Sequence, residues 1–337
     1  MPGSQDVVAL AQQLMAIDST SGHEGEMMAH VHQLLEQRGW GITRIPVSER
    51  RFAVLARAGA HGPVITLSTH LDTVPPYLPP RLDGDVLWGR GACDAKGIAA
   101  AMIAAGDTLR AEGAPVALLF VVGEEVTHDG AHAANEWIVD SGFVSRAIVD
   151  GEPTESKLGR GTKGALRVTV RTRGQPAHSA YPHLGHSAIE DLVALLAQLP
   201  SLEFPRHELL GDTTVNIGGI SGGVADNVVA PWAEARLMAR TVSPADDVMR
   251  VFERWAAGRA TLELGPMVPP VTLGTVPGFE TDVVAFATDI PVLGNWGTPY
   301  LYGPGSIHVA HRDDEHVRLD ELRAAVDAYA RIVRSLL

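Results

Sequence analysis

Cysteine is all but missing from this chain. Cys93 is the only one in 337 residues, which excludes an intrachain disulfide framework and suits a reducing compartment. Basic residues are also in deficit: 27 Lys and Arg stand against 40 Asp and Glu, a formal net charge of −13. Nucleic-acid phosphates call for clustered Lys and Arg, and the sequence has no such cluster, so nucleic acid is not an expected partner. Long apolar runs are absent too. The stretch Ile98–Ala105 is Ala-rich and far too short to span a bilayer, so no membrane association is expected. The opening MPGSQDVVAL has no basic stretch leading into an apolar core. No signal peptide is therefore expected, and the cytoplasm is the expected location.

What is present reads as a soluble globular protein, with 45% hydrophobic and 20% charged residues. The length exceeds one comfortable core, which predicts two domains. Helical apolar spacing covers Asp6–Ile17, and Ser21-Gly22-His23-Glu24 has the form of a capping box opening a second helix that stops at Gly39. Strands are predicted at Phe52–Ala56 and Pro63–Thr69, then a proline-rich irregular loop over Asp72–Gly89. A helix over Asp94–Leu109, a strand at Val116–Val122, a helix near Ala131–Val139 and a strand at Ala147–Val149 restore a βαβ alternation, which implies a mostly parallel sheet.

At Gly164 the texture changes. Ala165–Thr172 (ALRVTVRT) alternates apolar and polar residues, as a half-exposed antiparallel strand does. A helix at Ser187–Gln198, strands near Thr213–Ile220 and Ala233–Thr241, and a helix at Ala245–Ala257 follow. These make an α+β insertion of roughly a hundred residues, a plausible small domain by length. From about Pro270 the chain is read as returning to the first domain, closing with a helix over Asp320–Leu336.

Three apolar runs end in histidine or carboxylate: at His70-Leu71-Asp72, at Gly123-Glu124-Glu125, and at Asp150-Gly151-Glu152. In such sheets ligands bind just beyond the carboxyl ends of the strands. Each string alone has a bland alternative. His70 could be a strand-end histidine in a turn, and the glutamates could be solvated loop residues. Asp94, in the glycine-rich turn Gly89–Gly97, could cap a helix or bridge two metals. That turn lacks the spacing and the Lys-Ser/Thr ending of a phosphate-binding loop. His308 and His311 both precede the last helix. Gly219-Ile220-Ser221-Gly222-Gly223 matches the G-x-S-x-G expression, but the neighbouring sequence reads as strand rather than the strand–turn–helix elbow a serine nucleophile needs.

In this order and spacing the strings resemble the dinuclear zinc hydrolases that include acetylornithine deacetylases, succinyl-diaminopimelate desuccinylases and bacterial carboxypeptidases. The setting Gly303-Pro304-Gly305-Ser306 ending in Ala310-His311 is most similar to the acetylornithine deacetylases. The resemblance covers nearly the whole chain and implies a fold: an α/β, mostly parallel-sheet catalytic domain over 1–163 and 269–337, with an inserted α+β lid and dimerisation domain over 164–268. It also implies two zinc ions per subunit, with cobalt as an alternative. His70, Asp94 and Glu152 would hold one; Asp94, Glu125 and His311 the other. Asp72 would orient His70, Glu124 would serve as general base, and His178 would donate to the oxyanion from the partner's lid in a homodimer. Asn227 and Arg240 match substrate contacts. The implied reaction is hydrolysis of a small N-acyl amino acid, of the kind used in arginine biosynthesis. Release of lysine or ornithine from a carrier protein, desuccinylation, and dipeptide or carboxypeptidase cleavage are the alternatives. The chain departs from the family pattern at Ala95, at Lys96-Gly97-Ile98, at Ser187 and in a shortened stretch Asn295–Gly303, none of which removes a metal ligand.

Overall fold

The computed structural model describes residues 6–59 and 62–337; the first half of the opening segment read for a signal peptide lies outside them. The chain divides into two compact units. One comprises Met1–Arg160, Leu273–Asp282 and Thr288–Leu337; the other comprises Gly161–Thr272 and Val283–Ala287.

The first unit is built on a six-stranded sheet in the order Gly41–Pro46, Phe52–Arg57, Val116–Val121, Val64–His70, Ser145–Asp150, Thr298–Leu301. The last four strands run parallel, and the first two form an antiparallel edge. VALLFV and VITLSTH are buried at every position, as expected of strands covered on both faces. Alternate side chains feed different cores. Val54, Ile65, Leu67, Leu118, Phe120 and Val149 join the core shared with helices Asp6–Met15, Gly25–Gln37, Lys96–Ala111 and Leu319–Leu336. Leu55, Val64, Leu119, Val121 and Ile148 join the one beneath helix Asp129–Ser141 and Trp296.

Two local expectations fail here. The capping box does not form: the helix starts at Gly25, with Glu24 at its cap and no side-chain cap bond. Ser21 instead donates to Asp72 Oδ2 at 2.8 Å, and Glu24 accepts from Arg51 Nε at 2.7 Å and Nη2 at 2.8 Å. Charged tertiary partners outcompete a neutral local cap. The loop after Asp72 is not wholly irregular either. Arg81–Asp83 and Val86–Trp88 pair around a turn at Gly84, and the latter also pairs with His316–Arg318. A partner that distant in sequence leaves no local signal.

The second unit is a four-stranded antiparallel sheet in the order Thr214–Gly222, Trp232–Thr241, Gly164–Arg173, Thr261–Val268. Leu166, Val168 and Val170 meet Ala235, Leu237 and Ala239 beneath helices Ala188–Leu196 and Ala245–Ala256, while Arg167, Thr169 and Arg171 take the other face. The fourth strand, Thr261–Val268, is not visible in the sequence pattern. Its burial is irregular and its pairing slips between Leu264 and Met267.

Candidate metal centre and active site

The sheet order of the first unit places Val116–Val121, Val64–His70 and Ser145–Asp150 side by side. The residues at and just beyond their carboxyl ends, Glu124 and Glu125, His70 and Asp72, and Glu152, therefore share one edge, as expected of a binding site in such a sheet. Asp94 reaches them from the turn before helix Lys96–Ala111. His311 comes from the turn before His316–Arg318.

Asp94 stands between two donor sets. Its Oδ1 lies 3.0 Å from His70 Nε2, and its Oδ2 lies 3.1 Å from His311 Nε2. Glu152 Oε1 is 3.9 Å from His70 Nε2, and Glu125 Oε2 is 2.9 Å from His311 Nε2. His70, Asp94 and Glu152 thus offer ligand atoms within 4.8 Å of one another, as do Asp94, Glu125 and His311. His70, Asp94 and Glu152 are buried.

The electrostatics carry the mark of crowded acids. Burial pushes the Glu152 carboxyl well up, and the Glu124 and Asp94 charges add to it. Burial likewise raises Glu125, although the hydrogen bond from His311 opposes it. Burial works against the Asp94 charge too, but hydrogen bonds from His311 and His70 hold it low. Those to Asp94 and Glu125 raise His311 to about 10. Enclosed carboxylates facing buried His70 and exposed His311 around a shared aspartate suit divalent cations of the zinc type, whose catalytic sites mix His and carboxylate ligands.

Asp72 does more than orient a histidine. His70 Nδ1 lies 3.0 Å from the Asp72 carbonyl and 3.4 Å from its carboxylate Oδ1, so the backbone oxygen is the closer acceptor. The carboxylate accepts the amide N–H of Glu124 at 3.1 Å and of Glu125 at 3.2 Å, as well as the Ser21 hydroxyl. One buried side chain thereby fixes the backbone of both glutamates. Glu124 belongs to neither donor set, and its side chain is only 12% exposed. Burial raises its carboxyl well above the ordinary range, with Asp289, Glu125 and Asp94 adding and His70 opposing.

Comparison with known proteins gives this arrangement a family. A peptidase dimerisation domain matches residues 160–261. An M20 peptidase domain-containing protein of Schizosaccharomyces pombe is 36% identical over 345 residues, covering 99% of this chain and 85% of its own. The chain belongs to the M20 peptidase family. A probable carboxypeptidase of Aspergillus terreus is 39% identical over 365 residues, covering 96% of this chain and 84% of the relative. A tripeptidase structure from Staphylococcus aureus superimposes with a TM-score of 0.81 over 98% of both chains at 19% identity, a likeness that speaks to the fold. This M20 protein is accordingly a metal-dependent hydrolase with a mixed α/β fold and a dimerisation domain.

Several residues around the M20 centre carry no signal of their own in the sequence. Glu315 accepts the Gly91 amide at 2.9 Å, approaches those of Cys93 and Asp94 at 3.4 and 3.3 Å, and pairs with buried Arg90. It thus anchors the turn that carries Asp94. Arg51 joins Glu24 to Asp129 behind Gly123. His128 Nδ1 lies 2.8 Å from buried Asp289 and 4.0 Å from Glu124. Glu315 stood in view beside His311, but nothing in its spacing distinguishes it from Asp313 or Asp314.

His178, Asn227 and Arg240 belong to the second unit. His178 and Asn227 are exposed on adjoining loops, where Ser179 N donates to the Asn227 carbonyl at 2.9 Å. The Ala180 amide donates to His178 Nδ1 at 3.1 Å, which leaves Nε2 as the free nitrogen. Arg240 lies on Trp232–Thr241, opposite Ala165. Ser221 sits within the edge strand Thr214–Gly222, so the G-x-S-x-G string forms no elbow. His308 joins no donor set among the described residues.

Proposed function

We propose that this protein hydrolyses the amide bond of a small N-acyl amino acid at a dizinc centre, in the manner of the acetylornithine deacetylases. His70, Asp94 and Glu152 would hold one ion, and Asp94, Glu125 and His311 the other. Bound zinc, or cobalt in its place, would supply Lewis acidity that readies water for attack and polarises the amide carbonyl. The observation that carries the reading is Glu124: an acid enclosed beside both donor sets, a member of neither, with its backbone held by Asp72. Its carboxylate takes the proton of the attacking water and returns it to the departing amine, general base turned general acid. Its raised affinity for a proton suits the second half of that exchange. His178 would donate from its free Nε2 to the developing oxyanion. Arg240 would grip the substrate carboxylate in bidentate fashion, with Asn227 as a further substrate contact.

A homodimer through the second unit fits the dimerisation-domain match. Thr214–Gly222 is an exposed sheet edge bearing Ile217 and Ile220, and the neighbouring helix exposes Ile189 and Val193. Unpaired edges and exposed apolar side chains of this kind seek a partner. In such a dimer each His178 would serve the partner's centre. The single, buried cysteine fits work in the cytoplasm.

A second reading is removal of the C-terminal residue of a short peptide, favoured by a relative named as a probable carboxypeptidase. Both readings cleave an amide next to an amino acid bearing a free carboxylate. The test is hydrolysis by zinc- or cobalt-reconstituted protein across N-acetyl-ornithine, -citrulline, -lysine and -glutamate, succinyl-diaminopimelate and simple dipeptides, with Glu124→Gln alongside. Chelator-sensitive cleavage of an acetyl-amino acid is expected, with the variant retaining both metals and losing nearly all turnover. Cleavage confined to peptides would favour the second reading. Turnover by Glu124→Gln would overturn the role given to Glu124.

A further inference from the structure

The second unit contains a groove of about 340 Å³ that no part of the proposed chemistry uses. It is lined by Arg167, Thr169, Gly218, Arg236, Met238 and Gly265, among others. It lies on the sheet face opposite the helices. Even-numbered residues of Trp232–Thr241 turn to that face, and the register sets Glu234 against Arg171, Arg236 against Thr169, Met238 against Arg167 and Arg240 against Ala165. Arg167 is thus the diagonal neighbour of both Arg236 and Arg240, roughly 7–8 Å away by sheet geometry.

The arginines of this face fall into two groups. Arg171 is matched twice, by Glu234 at 2.7 Å and by Glu263, which uses up both of those acids. Arg167, Arg173, Arg236 and Arg240 have no carboxylate partner among the described residues, and of these Arg167, Arg236 and Arg240 are neighbours in the register. Neighbouring like charges destabilise a sheet, and Arg167 together with burial already disfavours the Arg240 charge. The chain has 40 acidic residues, yet among the described residues none pairs with these three, which stand side by side in the register.

Both flanks of the groove are bulged. The ladder slips between Ile217 and Gly219 on one side and between Leu264 and Met267 on the other. Bulges re-aim side chains and leave ladder groups unpaired. The Arg236 guanidinium lies directly on Gly219, where a Cβ would come within 2.8 Å of Nη2. A glycine backbone therefore seats the guanidinium over the groove.

We propose that Arg167 and Arg236 form a binding site for a small multivalent oxyanion. Guanidinium forks recognise tetrahedral and carboxylate oxyanions in bidentate fashion, and the volume suits a small molecule rather than a protein segment. The net charge of −13 repels anions in general, so binding here depends on the local arrangement. The site does not rest on the reading of the metal centre.

The test titrates the zinc-loaded full chain with sulfate and with succinate at constant ionic strength, by calorimetry and by the arginine Nε–H signals in ¹H–¹⁵N spectra. Expected is saturable binding of at least one dianion at one site per chain, moving the Arg167 and Arg236 signals. It should weaken tenfold or more in Arg167→Gln and in Arg236→Gln, and stay unchanged in Arg81→Gln. Whichever dianion binds more tightly names the oxyanion geometry. Without anion the two groove variants should melt at or above the parent temperature, since they relieve repulsion, yet lose the anion-dependent rise. Arg236→Lys, which keeps the charge and loses the fork, should bind at an intermediate level and covers the case in which a Gln variant fails to fold. No saturable binding of either anion would overturn the proposal. So would binding that survives in both Gln variants, because the anion would then sit elsewhere, the metal centre included.

Discussion

Replacing Glu315 by glutamine should loosen the turn that presents Asp94, although Glu315 itself faces neither donor set. Its side chain and that of Arg90 are 0% and 1% exposed. One carboxylate oxygen accepts from the Gly91 amide and faces those of Cys93 and Asp94; the other accepts from Arg90. A glutamine must turn its NH₂ toward either the amides or the guanidinium, so donors meet donors in both orientations. It also leaves the Arg90 charge buried and unmatched. Removing one partner of a buried ion pair costs about 3–5 kcal/mol. At roughly 2–4 °C per kcal/mol for a unit of this size, the melting temperature should fall by roughly 6–20 °C. The assay is thermal unfolding in chelator, so that metal binding does not contribute, followed by metal content after reconstitution, which should fall as Asp94 loses its anchor. The double variant Arg90→Met, Glu315→Leu should recover part of the loss, because it removes both charges together. A Glu315→Gln protein that melts within about 2 °C of the parent and fills both sites would refute the reasoning.

Two further outcomes follow from the neighbouring loop. Gly123→Ala puts a Cβ 2.0 Å from Asp129 Oδ1 and 2.8 Å from Arg51 Nη2, at a φ of +79°; it should cost at least about 1–3 kcal/mol in urea unfolding, and an unchanged midpoint would contradict the contact. Asp289→Asn tests a pH dependence. The hydrogen bond to Asp289 raises His128 above its ordinary 6.5, so the pair's stabilisation is complete below about pH 6.5 and is lost as pH rises through the raised value. The stability difference between parent and Asp289→Asn should therefore shrink with rising pH; a difference constant across that window would remove the charge interaction from the account.

Legibility followed the range of the interactions. VALLFV announces itself because burial on both faces leaves no polar position within the strand, and VITLSTH because it opens on an apolar, β-branched run and holds only short Thr and Ser before His70. ALRVTVRT announces itself because one face is dry and the other wet. The capping box misled because its motif is local and its competitors are not: Ser21 bonds Asp72 across 51 residues, and Glu24 bonds Arg51 across 27. Val86–Trp88 was hidden because its partner is His316–Arg318. Thr261–Val268 was hidden by a bulge that breaks its alternation.

By itself the sequence determined the candidate donors and, for His70, Glu125 and Glu152, their station at the ends of strands. An apolar run that stops at a histidine or a carboxylate announces both a buried strand and a polar group at its tip. Tertiary structure decided how those donors meet. It turned one oxygen of Asp94 to His70 and the other to His311, the histidine the resemblance had pointed to, and set Glu315 beneath the Asp94 turn across 225 residues from Arg90. It also made neighbours of three unmatched arginines, Arg167, Arg236 and Arg240, on one sheet face, because register, which no local pattern states, decides which side chains meet.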